Sequence, residues 1–436
     1  MKDELKKIFQ EKIKFQSATG FDKVKPEVFE KNLKREIDLI VDSYSNSTYK
    51  IMPYKELLIL KGRNKLPRLV SIPTVRDKLL LTWLNKKIVT DLKWKHVEVY
   101  EVVKKIKHYI NEGADSYLKL DLKGFYDNID HGLLLKHLEE KGMNKLNVSV
   151  VKIALQNETV ALNRKKTGML NNVGVPQGIP ISNVLANVFV SEIDLFFGNN
   201  KDVFLVRYVD DILLLSKNSD YLSSAYTQLK EKLNNLKLPL NDEKRDEGKI
   251  AQGFDFLGYH FKATDELELS VRDSSFKNLF FSLLQQISKF KVEMKKGGNW
   301  QERCLWDLNL KITGALIEKK RYGWLFFFSQ MDEDCVQLYQ LDQFVRKMLK
   351  SRNIPTEGVK SYVRAHKEIR NNLKDSKYIP NFENYTNDQK KNFLKSIVGL
   401  DEKELNEYSI SQIDYHFRRF LFKTVRTLEK DILSSS

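Results

Sequence analysis

The most constraining feature of the sequence is a pair of adjacent carboxylates, Asp210 and Asp211, within the segment FLVRYVDDILLLS (204–216). The apolar runs on either side predict two paired strands, so the carboxylates would lie at the turn of a buried β-hairpin. Burying unpaired carboxylates costs several kcal/mol each, so the pair requires a cation, hydrogen-bond donors or open solvent. An ordinary turn is the simpler explanation, because Asp hydrogen-bonds nearby backbone amides, and only other motifs can decide between them.

A third carboxylate lies upstream, in SYLKLDLKGFYDNIDHGLLLKHL (116–138). This segment predicts a strand that ends at Asp121, followed by a turn and a helix that begins near His131. If this strand neighbours the hairpin, Asp121 meets Asp210 although 89 residues separate them. Three clustered carboxylates can clamp two Mg²⁺ ions, which in-line phosphoryl transfer uses to activate the attacking hydroxyl and to stabilise the leaving pyrophosphate.

The charge distribution indicates a polyanionic partner. Lys and Arg outnumber Asp and Glu by 74 to 58, which gives a net charge of +16. Residues 50–110 hold fifteen basic and five acidic side chains, and residues 271–436 hold thirty and twenty-one. Clustered basic charge favours nucleic acid, since each neutralised phosphate releases condensed counterions. Lysine-rich, solvated helices are the alternative interpretation.

Composition excludes several other classes. With 42% hydrophobic and 30% charged residues, the chain is typical of a globular protein. Apolar runs such as GWLFFFS (323–329) are far shorter than the roughly 20 residues of a membrane helix. The charged start of the chain lacks the apolar region of a signal peptide, so we expect a cytoplasmic protein without a membrane partner. Two cysteines, Cys304 and Cys335, do not have the spacing of a zinc site.

Hydrophobic periodicity divides the chain into three regions. Residues 1–110 are predicted to be largely helical, apart from a loop or hairpin at 61–74. Between residues 116 and 262, short apolar runs alternate with helical patterns, which indicates an α+β sheet covered by helices. Beyond residue 270 the pattern is helical to the end of the chain.

Five motifs of the central region carry a family resemblance. LDLKGFYDNIDH, GVPQGIPISNVLANVFV, RYVDDILLLS, LNDEK and FDFLGYHF occur in the order and approximate spacing of the palm motifs of reverse transcriptases. The segment RLVSIPTVRDKLLLTWL (68–84) is similar to their fingers motif. The chain resembles the bacterial group that includes retron, group II intron and abortive-infection-like enzymes, and it looks most like a defence-associated reverse transcriptase.

The resemblance, which covers residues 50–262, implies an α+β right-hand polymerase with fingers, a ferredoxin-like palm and a helical thumb. The expected regions are N-terminal helices and fingers at 1–115, palm with inserted fingers elements at 116–265, helical thumb at 266–350 and a helical, basic C-terminal region at 351–436. We expect the aromatic residues from Trp324 to Phe328 to form helix core. For residues 351–436, a structured-RNA contact and a simple packing extension are both open.

The resemblance also implies roles for individual residues. Asp121, Asp210 and Asp211 would be catalytic and would hold Mg²⁺. Tyr126 would lie beneath the nucleotide sugar as a steric gate. Lys244 would donate a proton to the leaving pyrophosphate, although a lysine after a turn is often simply solvated. The other nucleotide-binding candidates are Lys65, Arg68, Arg76, Lys78, Gln177 and Gly178, and the candidate primer grip is Phe256, Leu257 and Gly258.

The implied function is an RNA-templated DNA polymerase that uses dNTPs and Mg²⁺, copies a noncoding RNA template into a DNA product and acts in bacterial antiphage defence. Val209 replaces the alanine usual in retron enzymes, the retron VTG signature is not found, and no Cys-rich, HNH-like or ribonuclease H pattern follows the thumb. An intron-type maturase and a template-independent or protein-primed DNA polymerase are the alternatives. Template identity, DNA product, priming mechanism, oligomeric state and trigger are left open by the sequence.

Overall fold

The structure is a computed structural model that describes residues 1–15, 18–60, 67–162, 168, 170–296, 299–332 and 336–433. Its α-helices are α1 (Lys2–Ile8), α2 (Pro26–Lys31), α3 (Leu33–Ser45), α4 (Val75–Asp91), α5 (Val99–Asn111), α6 (His131–Glu140), α7 (Lys145–Gln156), α8 (Ser182–Phe189), α9 (Ser191–Gly198), α10 (Ser219–Asn235), α11 (Asp273–Lys296), α12 (Trp300–Thr313), α13 (Trp324–Phe327), α14 (Val336–Lys350), α15 (Tyr362–Asn371), α16 (Asn387–Phe393), α17 (Glu402–Glu407) and α18 (Ile410–Leu433).

The β-strands are β1 (Tyr54–Ile59), β2 (Arg68–Ile72), β3 (Ser116–Asp121), β4 (Thr159–Val160), β5 (Val203–Tyr208), β6 (Asp211–Ser216), β7 (Asp246–Lys249), β8 (Phe254–Phe256), β9 (Tyr259–Ala263), β10 (Leu267–Val271), β11 (Ala315–Ile317) and β12 (Lys320–Tyr322). Short 3₁₀-helices lie at Phe125–Asn128, Asp242–Lys244, Ile250–Gln252 and Phe382–Asn384, and short π-helices at Phe9–Ile13 and Leu394–Val398.

The chain divides into two compact units. The first unit consists of residues 1–97 and 113–248, and the second of residues 98–112 and 249–436. The predicted division into fingers, palm, thumb and C-terminal region is finer than this and stays a prediction.

The centre of the first unit is a four-stranded sheet in the order β5-β6-β3-β7. Strand β6 pairs antiparallel with both β5 and β3. Residues 212–216 of β6 are all buried, so both faces of this strand are covered. A strand covered on both faces is expected to be a continuous apolar run, as this one is. The predicted α+β architecture, with helices packed around an antiparallel sheet, is confirmed.

A second sheet in the first unit holds the segment similar to the fingers motif. Its strand order is β2-β1-β4, with β1 antiparallel to β2 and parallel to β4. Helix α4 follows directly and begins with Thr74 as its N-cap, whose side chain accepts a hydrogen bond from the Asp77 amide at 3.2 Å. The predicted loop or hairpin at 61–74 is therefore a hairpin strand that leads into a capped helix, while residues 61–66 lie outside the described part.

The second unit is mainly helical, with two small antiparallel sheets. One contains β8, β9 and β10, and the other is the β11–β12 hairpin. This hairpin interrupts a region predicted to be helical. Gly314 and Gly323, which bound it, have φ values of +67° and +122°, and these conformations end the helix and allow the chain to turn into the strands. A Cβ on Gly314 would lie 2.3 Å from the Tyr322 carbonyl oxygen, so the close approach of the two strands requires glycine there.

The aromatic segment that follows this hairpin is core, as predicted. Trp324, Phe326 and Phe328 are at most 3% exposed. Cys304 is also buried, and burial raises the pKa of its thiol to about 11. Cys335 lies outside the described residues. None of the helices in the described ranges combines the length and the apolar character that crossing a membrane demands.

Candidate active site

The Asp210–Asp211 pair lies where the sequence predicted, at the turn between β5 and β6. Tyr208 pairs with Asp211, so Val209 and Asp210 form a two-residue loop. Val209 has φ +60°, which is unusual for a β-branched residue and identifies a strained backbone position. The turn places both carboxylates at the end of the hairpin and keeps them partly buried.

Asp121 completes the cluster. It is the last residue of β3 and lies directly opposite Asp211 in the antiparallel register. The Leu122 amide donates a hydrogen bond of 3.1 Å to the Asp210 carbonyl oxygen, which ties the end of β3 to the turn. The structure therefore brings Asp121 together with the Asp210–Asp211 pair, although 89 residues separate Asp121 from Asp210.

The pKa values of Asp210 and Asp211 are raised by burial and by neighbouring carboxylates. Burial is the largest cause at Asp211, and the charges of Asp210 and Asp121 add to it, so that its pKa rises to about 6. Burial also raises the pKa of Asp210, and the charge of Asp121 adds to this effect. A bound cation would favour ionisation of these carboxylates, because an opposite charge nearby stabilises their charged form.

Lys244 is the cation in direct contact with this cluster. Its Nζ donates to Asp121 Oδ1 at 2.7 Å, and the side chain is still 61% exposed. Burial opposes its charging, yet the hydrogen bond to Asp121 and the charges of all three aspartates raise the pKa of Lys244. A protonated, accessible ammonium beside the carboxylates is suited to the predicted role of proton donor.

Asn241 is a site residue that the sequence interpretation missed. Its Nδ2 donates to Asp121 Oδ2 at 3.2 Å, and its backbone amide donates to the Asp121 carbonyl oxygen at 2.8 Å. Asn241 and Lys244 therefore bind the two carboxylate oxygens of Asp121 separately. Both belong to the motif LNDEK, but an asparagine at the start of a turn gives no signal that distinguishes it from an ordinary turn residue.

Tyr126 and Phe125 lie in a 3₁₀-helix that follows β3. Phe125 is 2% exposed and belongs to the core of the first unit, whereas Tyr126 is only partly buried. Burial is the main reason that the pKa of Tyr126 rises to about 12, and the charge of Asp210 adds to it. Phe125 is therefore a core residue, whereas Tyr126 is a partly buried residue at the edge of that core, and its role at the nucleotide sugar stays a prediction.

The basic candidates of the fingers have different surroundings. Arg68, at the start of β2, is exposed, and its positive charge opposes the rise in the pKa values of Tyr126 and Asp210. Arg76, in α4, instead forms a 2.6 Å ion pair with Glu36. Lys78 is partly buried in the same helix, and Lys65 lies outside the described residues. Among these residues, Arg68 has the best-supported position for contacting a nucleotide.

Gln177 and Gly178 pack against β2. The Ser71 amide donates to the Gln177 carbonyl oxygen at 2.7 Å. Gly178 has φ +102°, and a Cβ there would lie 2.5 Å from Val70 Cγ1. Glycine is therefore required at this position because the backbone lies so close to β2. The sequence named Gly178 only as a nucleotide-binding candidate and did not reveal this contact. Its role at the nucleotide stays a prediction.

The candidate primer grip forms the turn of the β8–β9 hairpin in the second unit. Phe256 pairs with Tyr259, which leaves Leu257 and Gly258 as a two-residue loop. Both loop residues have positive φ, +49° and +80°, as a type I′ turn requires. The contact of this turn with a primer stays a prediction.

The residues at the turn have the donor chemistry for Mg²⁺, which binds oxygen ligands and whose charge would relieve the repulsion among the three aspartates. Within the described ranges, however, no group of three or more His, Cys, Asp or Glu side chains has an arrangement ready to enclose a metal ion. Lys244 and Asn241 hold the oxygens of Asp121 in this structure. Metal binding by Asp121, Asp210 and Asp211 therefore stays a proposal.

Comparison with known proteins identified sequences similar to part of this chain. Residues 59–261 match the family described as reverse transcriptase (RNA-dependent DNA polymerase). The group II intron-encoded protein LtrA of Lactococcus lactis subsp. cremoris is 28% identical over 180 residues, which cover 37% of this chain and 28% of LtrA. The retron Ec83 reverse transcriptase of Escherichia coli is 31% identical over 127 residues, covering 28% of this chain and 39% of that enzyme.

Among solved structures, apo telomerase from Candida tropicalis aligns with 92% of this chain and 70% of its own, at 13% identity and a TM-score of 0.41. The chain spans less than two fifths of the length of the two curated relatives described above.

Proposed function

We propose that the chain is an RNA-templated DNA polymerase, in keeping with the match of residues 59–261 to the reverse transcriptase family. The observation that carries this proposal is the convergence of Asp121, Asp210 and Asp211 at the end of the β3–β6 ladder, with Lys244 bound to Asp121. The substrates would be dNTPs, a primer and an RNA template, and the product would be DNA.

Each residue of the site would make a separate contribution. The three aspartates would bind Mg²⁺, which when bound supplies Lewis-acid activation of the attacking hydroxyl and charge neutralisation at the triphosphate. Arg68 would contact the triphosphate, because a guanidinium can bind two phosphate oxygens at once. Lys244 would give its proton to the leaving pyrophosphate, and Tyr126 would exclude a ribose 2′-hydroxyl.

The biological setting proposed is antiphage defence with a dedicated noncoding RNA as template. This proposal rests on the resemblance of the motifs to those of defence-associated reverse transcriptases. The match to a group II intron-encoded protein is also compatible with a maturase, in which RNA binding for splicing dominates. A template-independent or protein-primed polymerase is the third candidate.

One experiment separates these candidates. The protein is purified from its host, and the bound nucleic acids are sequenced after separate treatment with ribonuclease or deoxyribonuclease. A single noncoding RNA together with DNA complementary to it would support the proposal. Bound intron RNA without complementary DNA would favour the maturase, and DNA covalently attached to the protein or unrelated to the bound RNA would favour the third candidate.

A further inference from the structure

Arg207, in β5, makes side-chain hydrogen bonds to three parts of the first unit: helix α9, helix α8 and the β5–β6 turn at Val209–Asp210. Its Nε and Nη2 donate to the two carboxylate oxygens of Asp194 in α9, at 2.9 and 2.6 Å. Its Nη1 donates to Asn187 Oδ1 in α8 at 3.0 Å and to the Val209 carbonyl oxygen, also at 3.0 Å. The side chain is only 7% exposed, so the guanidinium is fixed by a bidentate ion pair and two further hydrogen bonds.

The Val209 carbonyl belongs to the peptide group that precedes Asp210. A peptide group is planar, so a hydrogen bond to its oxygen restricts the orientation of the Asp210 Cα that follows it. The peptide group after Asp210 is held as well, because the Leu122 amide donates to the Asp210 carbonyl oxygen at 3.1 Å. Asp210 is therefore held on both sides, by a side chain from β5 and by the backbone at the end of β3.

The strain at Val209 explains why such a bond is needed. Its φ of +60° places a β-branched residue in the left-handed region, where L-residues are disfavoured. A hydrogen bond to the Val209 carbonyl oxygen opposes relaxation of this turn out of the left-handed region. The contact of Arg207 with this turn is its hydrogen bond of 3.0 Å to the Val209 carbonyl oxygen.

We infer that Arg207 is a positioning residue for catalysis, which holds the Val209–Asp210 peptide in the orientation that directs the Asp210 carboxylate to the reacting phosphate. Asp194 and Asn187 orient the guanidinium for this purpose. The inference rests on the proposed polymerase function for its effect on rate, but the hydrogen bonds that carry it do not depend on that function.

The test compares Arg207→Lys with Arg303→Lys in the full chain. Lysine keeps the positive charge but cannot bind Asp194 through two nitrogens while also reaching Asn187 and Val209. Arg303, in the second unit, is a matched control. Its guanidinium also donates to an aspartate and to a backbone carbonyl oxygen, at 3.1 Å to Asp307 and at 2.8 Å to Ile397. The measurements are kcat and KM for dNTP, and amide hydrogen exchange of peptides covering residues 204–216.

For Arg207→Lys we expect kcat to fall at least tenfold, KM to change less than threefold and exchange in residues 204–216 to accelerate at least fivefold. Arg303→Lys should leave all three values within twofold of wild type. Asp194→Asn should reproduce the effect of Arg207→Lys in weaker form, because it removes the ion pair but leaves the arginine.

Two results would overturn the inference: exchange and kcat within twofold of wild type in Arg207→Lys, or a rise in KM alone, which would identify Arg207 as a nucleotide contact. If wild type makes no DNA on any template, the proposed function fails, and the exchange rates still decide the positioning role. Faster exchange confined to residues 204–216 then supports it, and unchanged exchange contradicts it.

Discussion

Tyr126 and Phe125 are adjacent aromatic residues with different surroundings, and this difference makes the sugar-selection hypothesis testable. Tyr126→Val should raise incorporation of ribonucleotides relative to deoxyribonucleotides at least tenfold, because the variant lacks the rigid ring that would clash with the 2′-hydroxyl. A tenfold change corresponds to a loss of about 1.4 kcal/mol of discrimination. The measurement is kcat/KM for matched ribo- and deoxyribonucleotides.

Phe125→Leu is the control for this experiment, since Phe125 is 2% exposed and lies in the core. It should lower the Tm and leave the ratio of the two kcat/KM values unchanged. An unchanged ratio in a folded, active Tyr126→Val variant would remove Tyr126 from the site.

The raised pKa of Asp211 gives a prediction about pH. Because its pKa in the folded protein, about 6, lies above the usual value of 3.8, ionisation of Asp211 destabilises the fold. This penalty is absent below pH 4, grows as the pH rises from 4 to 6 and is complete above 6. The metal-free wild type should therefore lose on the order of 1–3 kcal/mol of stability across this window.

The variant Asp211→Asn lacks this titration, so its Tm relative to wild type should rise between pH 4.5 and pH 7 in EDTA. Thermal unfolding at several pH values measures the difference, and a difference independent of pH would contradict the assignment. Adding Mg²⁺ at pH 7 should stabilise wild type more than the variant, because only wild type retains the full set of carboxylates.

Residues with a chemical signature were predictable from the sequence, and residues with a purely geometric role were not. An Asp pair between two apolar runs is costly without a function, so Asp210 and Asp211 were conspicuous. Asn241 and Arg207 are polar residues in ordinary sequence contexts, and their proposed roles rest on hydrogen bonds to Asp121 and to the Val209 carbonyl oxygen. Gly178 was identified, but its contact with β2 depends on a strand about a hundred residues earlier.

At the scale of elements, the β8–β9 hairpin allows a test of turn chemistry. Leu257 has φ +49°, a conformation that asparagine tolerates better than leucine, and Asn-Gly is the favoured pair for a type I′ turn. Leu257→Asn should therefore raise the stability of the protein by roughly 0.5–1 kcal/mol.

Gly258→Ala is the opposite change at the same turn. A Cβ at Gly258 would lie 3.1 Å from the Phe328 ring, and φ is +80°, so the alanine should lower the Tm. Thermal unfolding of both variants checks the pair, and equal Tm values in the two would show that the turn adopts another conformation.

Element types were predicted well where periodicity was strong and poorly where glycines decided the structure. The β5–β6 hairpin and the helix after His131 had clear patterns and were found. The β11–β12 hairpin was missed, because its flanking residues have helical periodicity and only the conformations of Gly314 and Gly323 reveal the turn away from the helix.

At the scale of the whole molecule, the least predictable feature was the placement of residues 98–112. They group with the second unit, where Lys107 lies 3.5 Å from Asp332 and Arg321 stacks on Tyr100. These partners are more than 200 residues away in the sequence, so local patterns carry no information about them.

Two roles are open for the C-terminal residues 351–436: they could contact a structured RNA, or they could only extend the packed core. Phe393 is 6% exposed and lies with its ring centroid 5.2 Å from those of Trp306 and Phe417, so it joins this region to α12. Phe393→Ala should lower the stability by about 3–5 kcal/mol, since it leaves a cavity in an aromatic cluster.

Charge variants test the other half of the question. Lys391→Gln with Lys395→Gln should change the stability little, and a packing extension predicts unchanged RNA affinity. An RNA contact predicts weaker binding whose dependence on log salt is less steep by about one unit for each phosphate that is no longer neutralised. A titration at several salt concentrations distinguishes the two.

The most direct test of the central claim is single-nucleotide incorporation on a defined RNA template and DNA primer, with Mg²⁺ and one dNTP at a time. Wild type should add only the dNTP complementary to the template base. The variant Asp210→Asn with Asp211→Asn should bind the RNA as tightly, keep a Tm at least equal to that of metal-free wild type at pH 7, and extend the primer at least a thousandfold more slowly. Extension at the wild-type rate by this variant, or wild-type incorporation that ignores the template base, would contradict the account.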